Sequence, residues 1–386
     1  MNRAVELAGR FSALHGETPR VFRAPGRVNL IGEHTDYNDG FVMPAAIHFS
    51  TWIAAAPRAD RTLAMQSVDF DERREFSLDE PNPKALNHWS DYVRGVAVIL
   101  ERAGHRLRGT NLMVRGEVPI GSGLSSSAAI EVAAASALLA VSGIEVPKTQ
   151  LAQLCQRAEN EFVGMRCGIM DQFISCHGRA GHALMLDCRS LEFRLAPLPV
   201  GVTLVICNTM VHHELAAGEY NKRRADCEMG VQLLKRALPH ITALRDVTPQ
   251  DLERFGHALP ETIYRRCRHI IGENARVERA ALALEQGDLE MFGKLMGESH
   301  ASLRDDFEVS CTELDVMVEA AVKADGVYGA RMTGGGFGGC TINLVASERV
   351  GEFEACVAHE YRAVTGTTPV IYKTDAVNGA EEVVLT

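Results

Sequence analysis

Short-range metal and redox signatures are missing from this chain of 386 residues. Its 14 histidines form no H-E-x-x-H pair and its 10 cysteines no C-x-x-C pair, which excludes a zincin site, a zinc ribbon and a thioredoxin-like centre. The cysteines are scattered from Cys155 to Cys356, as expected of reduced, mostly buried thiols. Basic charge is also in short supply. Forty Lys and Arg stand against 50 Asp and Glu, a net charge of −10, whereas nonspecific nucleic-acid binding needs a basic footprint. Any affinity for phosphate must therefore be local. The most apolar run, Val132 to Val141, is far too short to span a bilayer. Arg3, Glu6 and Arg10 interrupt the N-terminal segment, which lacks the apolar core of a signal peptide. Internal repeats, low-complexity tracts and blocks of like charge are absent too. These absences lead us to expect a soluble cytoplasmic protein with neither nucleic-acid nor membrane partners.

The length exceeds one typical core, so two domains are expected. A hydrophobic content of 46% and a charged content of 23% are ordinary for a globular chain. Periodicity predicts a helix over 2–15, a strand over 20–31, strands over 41–56 and 62–78 (the second a charged hairpin), and a helix over 89–100. Leu112, Val114, Gly116 and Val118 alternate as a half-buried strand. A buried alanine-rich helix over 128–141 follows. The next helix, over 148–165, carries Leu151, Leu154, Cys155, Ala158 and Phe162 on one face. Prolines cluster between Leu191 and Val200 ahead of an apolar strand at 202–207, which sets the expected domains at 1–195 and 196–386. The second domain is expected to open with a long helix from Tyr220 and to continue with helices over 261–286, 288–303 and 312–324. It should end with strands at 327–332, 340–346 and 369–374 and a helix over 349–364, an α+β arrangement with antiparallel pairing.

Between the alternating strand and the alanine-rich helix lies Pro119 to Ala129, reading Pro-Ile-Gly-Ser-Gly-Leu-Ser-Ser-Ser-Ala-Ala. Gly121 and Gly123 remove side chains, while Ser125, Ser126 and Ser127 supply hydroxyls at a helix start. Bare backbone and the N–H groups of a helix N-terminus make a phosphate cradle, although capping alone would use the same residues. A Walker loop is excluded because its lysine is missing here. Gly334, Gly336 and Gly339 satisfy G-x-G-x-x-G, but the dinucleotide fingerprint must open a helix, and Cys340 to Val345 reads as a strand. The stretch is expected instead to form a tight hairpin-like loop whose backbone approaches the cradle.

Other residues point to chemistry. Arg27, Asn29, Glu33, His34 and Asp36 crowd together just after a strand, a density suited to a ligand rich in hydroxyls or to a solvated loop. Asp171 sits in the apolar segment Cys167–Phe173, where an unpaired carboxylate is costly, so it needs a cation, a capping duty or a chemical role. Glu159 and Glu161 flank the apolar face of the 148–165 helix at similar angles, and periodicity does not choose between them. Trp89 reads either as core or as a flank for adenine.

In chain order, Pro25–Asp36, Pro119–Ala129 and Met332–Cys340 resemble the three motifs of the kinase superfamily that includes galactokinase, homoserine kinase, mevalonate kinase and phosphomevalonate kinase. The run Gly26-Arg27-Val28-Asn29-Leu30-Ile31-Gly32-Glu33-His34-Thr35-Asp36-Tyr37-Asn38 resembles the galactokinase-family signature. Cys167–Phe173 and Glu219–Arg224 are similar to further segments of that family, and the resemblance runs essentially from end to end. It implies a two-lobed α+β small-molecule kinase fold of the galactokinase/mevalonate kinase type, with the active site in the cleft between lobes. The implied reaction is phosphorylation of α-D-galactose at its C1 hydroxyl by ATP, with Mg²⁺, giving α-D-galactose 1-phosphate and ADP. By the same resemblance Asp171 is the catalytic base and Arg27 its cationic partner. Glu33, His34, Thr35, Asp36, Gly168 and Tyr220 are implied sugar contacts. Gly121, Ser122, Gly123, Leu124, Ser125, Ser126 and Ser127 resemble the triphosphate loop, with Trp89 beside the adenine. Ser127 and Glu159 are the implied Mg²⁺ ligands, so it is the family pattern that selects Glu159 over Glu161. Asp91 departs from the family, where Asn is usual. A kinase for N-acetylgalactosamine or L-arabinose and a non-catalytic galactose sensor are the alternatives. The expected partner is a small sugar, and the chain is expected to be a monomer or weak homo-oligomer.

Overall fold

A computed structural model describes residues 3–212 and 216–385 of the protein. The chain begins α1 (Arg3–His15), β1 (Arg20–Asn29), β2 (Phe41–Val42), β3 (Pro44–Pro57), β4 (Thr62–Ser67), β5 (Glu72–Ser77), α2 (Ser90–Arg102) and β6 (Thr110–Gly116). It continues through α3 (Ser126–Ser142), α4 (Lys148–Ala158), α5 (Met170–His177), β7 (His182–Asp187) and β8 (Phe193–Pro197). Next come β9 (Val202–His212), α6 (Ala216–Leu234), α7 (Pro249–Phe255), α8 (Glu261–Gln286), α9 (Leu289–Ser302) and α10 (Thr312–Lys323). The last elements are β10 (Val327–Thr333), β11 (Gly338–Ala346), α11 (Val350–Thr365), β12 (Val370–Thr374) and β13 (Glu381–Val383).

The first sheet has the order β13-β1-β3-β6-β4-β5, antiparallel except where β4 meets β6. Strand alternation sorts its two faces. Phe22, Ile53, Ala55, Leu112 and Val114 share a core with α2, α3, α4 and α5. Their neighbours Val21, Ala54, Ala56 and Met113 pack instead on Ala4, Leu7 and Phe11 of α1. The second sheet, β10-β11-β9-β12, is wholly antiparallel. Its Leu204, Ile206, Ile342 and Leu344 face α8 and α9, and Val205, Cys207 and Val345 face α10 and α11. Val28, Leu30, Met43 and Leu124 from the first half enter the same apolar cluster as Ile206, Val277 and Phe292 from the second. The two halves are therefore joined through a shared core beneath the loops that connect β1 to β2, β6 to α3 and β10 to β11.

The structure departs from the periodicity reading at several joints. The helix expected to reach residue 165 stops at Ala158, and Glu159–Val163 is a π turn closed by Gly164 N–H donating to the Glu159 carbonyl at 2.9 Å. Such turns are frequent at functional sites, and a pattern of period 3.6 does not reveal them. α9 likewise passes into a π turn at Leu303–Phe307. Tyr220 lies in the second turn of α6 rather than at its start. Asn2, the first residue of the expected opening helix, lies outside the described residues. The division at 195/196 cuts through β8, and β13 pairs with β1, Val21 opposite Val383, so the end of the second half returns to the first sheet. Among the described residues no helix is long and apolar enough to cross a membrane.

α9 lies so close to β10 that a Cβ on Gly293 would stand 1.6 Å from the Tyr328 carbonyl oxygen, whereas a Cβ on Gly297 of the same helix would meet nothing within 4 Å. Glycine in a helix interior costs about 1 kcal/mol relative to alanine. Gly297→Ala is therefore expected to stabilise the protein by up to about 1 kcal/mol. Gly293→Ala should destabilise it by about 1–3 kcal/mol through overpacking, read from urea unfolding. Equal effects of the two substitutions would contradict this packing.

Candidate active site

β1 carries a register shift between Pro25 and Arg27, and a bulge of that kind re-aims the side chain that follows it. Arg27 reaches Asp171, the second residue of α5: its Nε donates to Oδ1 at 2.8 Å and its Nη2 to Oδ2 at 2.7 Å. Its Nη1 donates to the Gly123 carbonyl at 2.5 Å. Planar guanidinium–carboxylate pairs of this type are strong and geometrically specific. Ser125, held at φ +62° just before α3, donates its hydroxyl to Asp171 Oδ2 at 2.5 Å. Asp171 thus carries two bonds on Oδ2 and one on Oδ1.

These groups line a cavity of 380 Å³ that also touches Glu33, His34, Asp36, Gly121, Leu124, Ser126, Ser127, Glu159, Gly168 and Tyr220. Gly334 to Gly339 close another side of it. At Gly334 (φ +84°) a Cβ would stand 2.7 Å from the Gly123 carbonyl oxygen, so this loop and the serine–glycine loop meet backbone to backbone. Glu33 holds the third loop in place: its Oε1 accepts from Gly334 N–H at 2.7 Å and from buried Arg331 at 3.4 Å. Burial is the largest influence on the Glu33 carboxyl and raises its pKa, against the opposing charges of Arg331 and Arg27.

His34 packs its ring against Phe307 at 4.8 Å and Tyr220 at 5.3 Å, and Nδ1 pairs with the Tyr37 hydroxyl at 2.8 Å. Its buried Nε2, near the Gly335 backbone, makes no hydrogen bond of normal geometry. Burial and then His269 lower the His34 pKa to about 3, so the ring is neutral at working pH. Glu159, at the start of the π turn, is buried and accepts from Gln172 at 2.6 Å, from the Cys167 thiol at 3.3 Å and from the Ser127 hydroxyl. Glu161 is exposed and pairs with Arg157 at 2.8 Å, so the two glutamates that periodicity left equivalent are separated by the fold.

Two expected contacts stand elsewhere. The Thr35 hydroxyl is fully buried and bonds the Gly32 and Phe41 carbonyls at 2.9 and 2.6 Å, bracing the loop rather than facing the cavity. Ser122 is buried too, with its hydroxyl on the Pro119 carbonyl at 2.6 Å. Trp89 lines a neighbouring space of 650 Å³ shared with Ser126, Ser127, Phe70 and Ile120, and its Nε1 donates to Glu72 at 3.0 Å. Asp91 accepts from the Leu86 and His88 backbone N–H groups at 2.7 and 3.0 Å, an acceptor duty that an Asn oxygen would serve equally. The sequence reading missed Arg331, the Ser125–Asp171 bond and the buried pair Glu131 and Gln172. A lone glutamate inside the alanine-rich helix was the available signal for Glu131.

Burial, and then the nearby Asp171, push the Asp36 carboxyl up to about 7. The unfolded chain ionises an aspartate near 4, so between these values the folded state binds the extra proton, and the stability this gives is lost as pH rises to about 7. Asp36→Asn is expected to raise the Tm of the ligand-free protein, with a gain that grows from about pH 5 to pH 7 and then levels off. Thermal melts across that range giving a constant gain, or a loss, would contradict this burial cost.

Three family models match the chain: the galactokinase galactose-binding signature over residues 9–57, the GHMP kinase N-terminal domain over 91–179 and the GHMP kinase C-terminal region over 280–362. A galactokinase of Roseiflexus sp. (strain RS-1) is 47% identical over 98% of this chain and 97% of its own. A galactokinase of Chloroflexus aggregans is 50% identical over 93% of this chain and 92% of its own. Among solved structures, Lactococcus lactis galactokinase complexed with galactose superposes with a TM-score of 0.95 at 38% identity, covering 98% of this chain and 99% of that one. The fold is the α+β fold of the GHMP kinases, as the resemblance implied. Near-half identity along almost the whole length, with the signature lying over the Arg27–Asp36 loop, shows that the chain belongs to the galactokinase family.

Proposed function

We propose that the protein transfers the γ-phosphoryl group of ATP to the C1 hydroxyl of α-D-galactose, with Asp171 and Arg27 at the reacting centre. The observation that carries this reading is the bidentate Arg27–Asp171 pair in a cavity bounded by the serine–glycine loop and the Glu33–Asp36 loop. Phosphoryl transfer asks a protein chiefly for positioning and charge neutralisation. Asp171 Oδ1, with a single bond from Arg27, keeps the capacity to accept the C1 hydroxyl. As that oxygen bonds to phosphorus and the bond to the β,γ-bridging oxygen breaks, the proton passes to Asp171 and ADP leaves. An ionised carboxylate is a weak base for a sugar hydroxyl, but in a loose transition state the proton departs late, so Asp171 acts largely by orienting the nucleophile. The Arg27 guanidinium supplies positive charge beside the transferred group.

Glu159 is a buried carboxylate whose hydrogen bonds come from an amide, a thiol and a hydroxyl, with no Lys or Arg among them. Together with Ser127 it offers hard oxygen donors suited to Mg²⁺, and among the described residues no cluster of three or more acidic, His or Cys side chains forms a dedicated metal cage. That fits a magnesium ion held by one carboxylate, one hydroxyl and nucleotide phosphates, where it would neutralise phosphate charge. Trp89, Phe70 and Ile120 line the adjoining space, which would receive the adenine. Asp36 is assigned to the C3 and C4 hydroxyls of the sugar, and Glu33 with neutral His34 to C6. The relative from Lactococcus lactis, complexed with galactose, supports a sugar substrate.

Asp171→Asn is expected to lower kcat by about 10²–10⁴-fold while galactose still binds, measured by ADP release and calorimetry. Near-native kcat would remove Asp171 from the mechanism. Glucose carries its C4 hydroxyl equatorially and would strand buried polar groups. Its kcat/KM should fall below that of galactose by about 10⁴-fold, and comparable values for the two sugars would refute the recognition scheme.

A further inference from the structure

Behind Glu159 lies a polar cluster that the reaction itself does not use. Gln172 and Glu131 are both fully buried. Gln172 Nε2 donates to Glu159 Oε2 at 2.6 Å and to Glu131 Oε2 at 2.9 Å, linking the two carboxyls through one amide. The parts come from different elements: Glu131 from α3, one turn beyond Ser127; Gln172 from α5, next to Asp171; and Glu159 from the π turn after α4. Glu131 Oε1 and Gln172 Oε1 have no hydrogen-bond partner. An apolar side chain would fill the Glu131 position of this alanine-rich helix without the desolvation that a carboxyl incurs. The retained cost therefore points to a duty at the amide, whose orientation Glu131 fixes: turned over, its oxygen would face two carboxyl oxygens. A glutamine in place of Glu131 keeps an acceptor oxygen for the Gln172 Nε2 donor and the same shape, so it is a mild change.

We propose that Gln172, oriented by Glu131, is a positioning residue that aims the Glu159 carboxylate and thereby sets the affinity of the site for a divalent cation–nucleotide complex. This rests on the assignment of Ser127 and Glu159 as metal ligands. Groups that orient a metal ligand typically change metal affinity or activity by about 10–100-fold when removed.

The test uses the full-length protein and compares Gln172→Leu, Glu131→Leu and Glu131→Gln. Binding of Mn²⁺–ADP is followed by electron paramagnetic resonance and by calorimetry, and galactose binding is measured without nucleotide. Gln172→Leu and Glu131→Leu should weaken Mn²⁺–ADP binding by about 10–100-fold, Glu131→Gln should bind nearly as the wild type does, and galactose affinity should stay unchanged in all three. Native Mn²⁺–ADP affinity in Gln172→Leu would overturn the proposal. A parallel loss of galactose binding would overturn it too, because the residues would then serve packing alone. Wild-type ADP binding that ignores the cation would overturn the metal assignment together with the proposal, and would be seen before any variant is made.

Discussion

A guanidinium and a carboxylate separated by 144 positions in the chain are held in bidentate contact, and the site depends on that contact. Arg27 is nearly fully buried, so taking its charge out of water is costly and is offset only by partners of good geometry. Asp171 supplies two of them and the Gly123 carbonyl a third, so the C-terminal end of β1, the serine–glycine loop and the start of α5 converge on one planar group. Removing the Asp171 carboxylate would leave the Arg27 charge buried and uncompensated, which typically costs about 3–5 kcal/mol. The bulge in β1 and the left-handed backbone at Ser125 are the local distortions that accompany this convergence.

Around that pair, acidic groups gather without matching cations. Asp36, Glu131 and Glu159 each have their pKa raised, with burial as the largest cause, and Asp171 raises all three further. Such a cluster is unfavourable in the empty protein, and on the assignments proposed above the entry of hydroxyl donors and a cation would relieve a cost that folding has already met. Recognition and instability of the empty site thus come from the same groups, as expected where activity and stability trade against each other.

Much of this was legible in the chain. The spacing of Leu112 and Val114 marked a strand, but one expected to be half-buried; Met113 between them is buried as well, because the two faces of this sheet pack on different helices. The family signature located Arg27 and Asp36, and the position of Asp171 in an apolar segment called for a cation. Glu159 was legible only through resemblance, since a π turn breaks the period from which its direction would be read. Thr35 and Ser122 show the reverse limit: hydroxyls inside a binding motif turned inward to satisfy backbone carbonyls, a choice that local sequence does not encode. Nor did the sequence indicate that β13 would return to β1, because that pairing spans nearly the whole chain and its few residues carry no distinctive pattern.

The way the loops are tied together bears on how the site discriminates. Glu33 binds the Gly334 N–H, and Arg331 bonds both Glu33 and the Asn29 carbonyl, so the loop after β1 and the glycine loop are fastened to each other beneath the cavity. Gly32 N–H is anchored in turn by Glu273 of α8 at 2.9 Å, and Arg276 holds that carboxylate at 2.7 Å. Arg276, His269 and Arg331 outweigh burial and hold the Glu273 carboxyl down to about 2, so this anchor stays ionised across the pH range in which Asp36 titrates. The loop proposed to read the sugar is therefore fixed by a charge whose state does not change, while Asp36, its proposed reader, is the group poised to change. On that assignment a sugar hydroxyl would meet groups already set in position, and selectivity would follow from whether its stereochemistry can pair with them rather than from how far the loop can move.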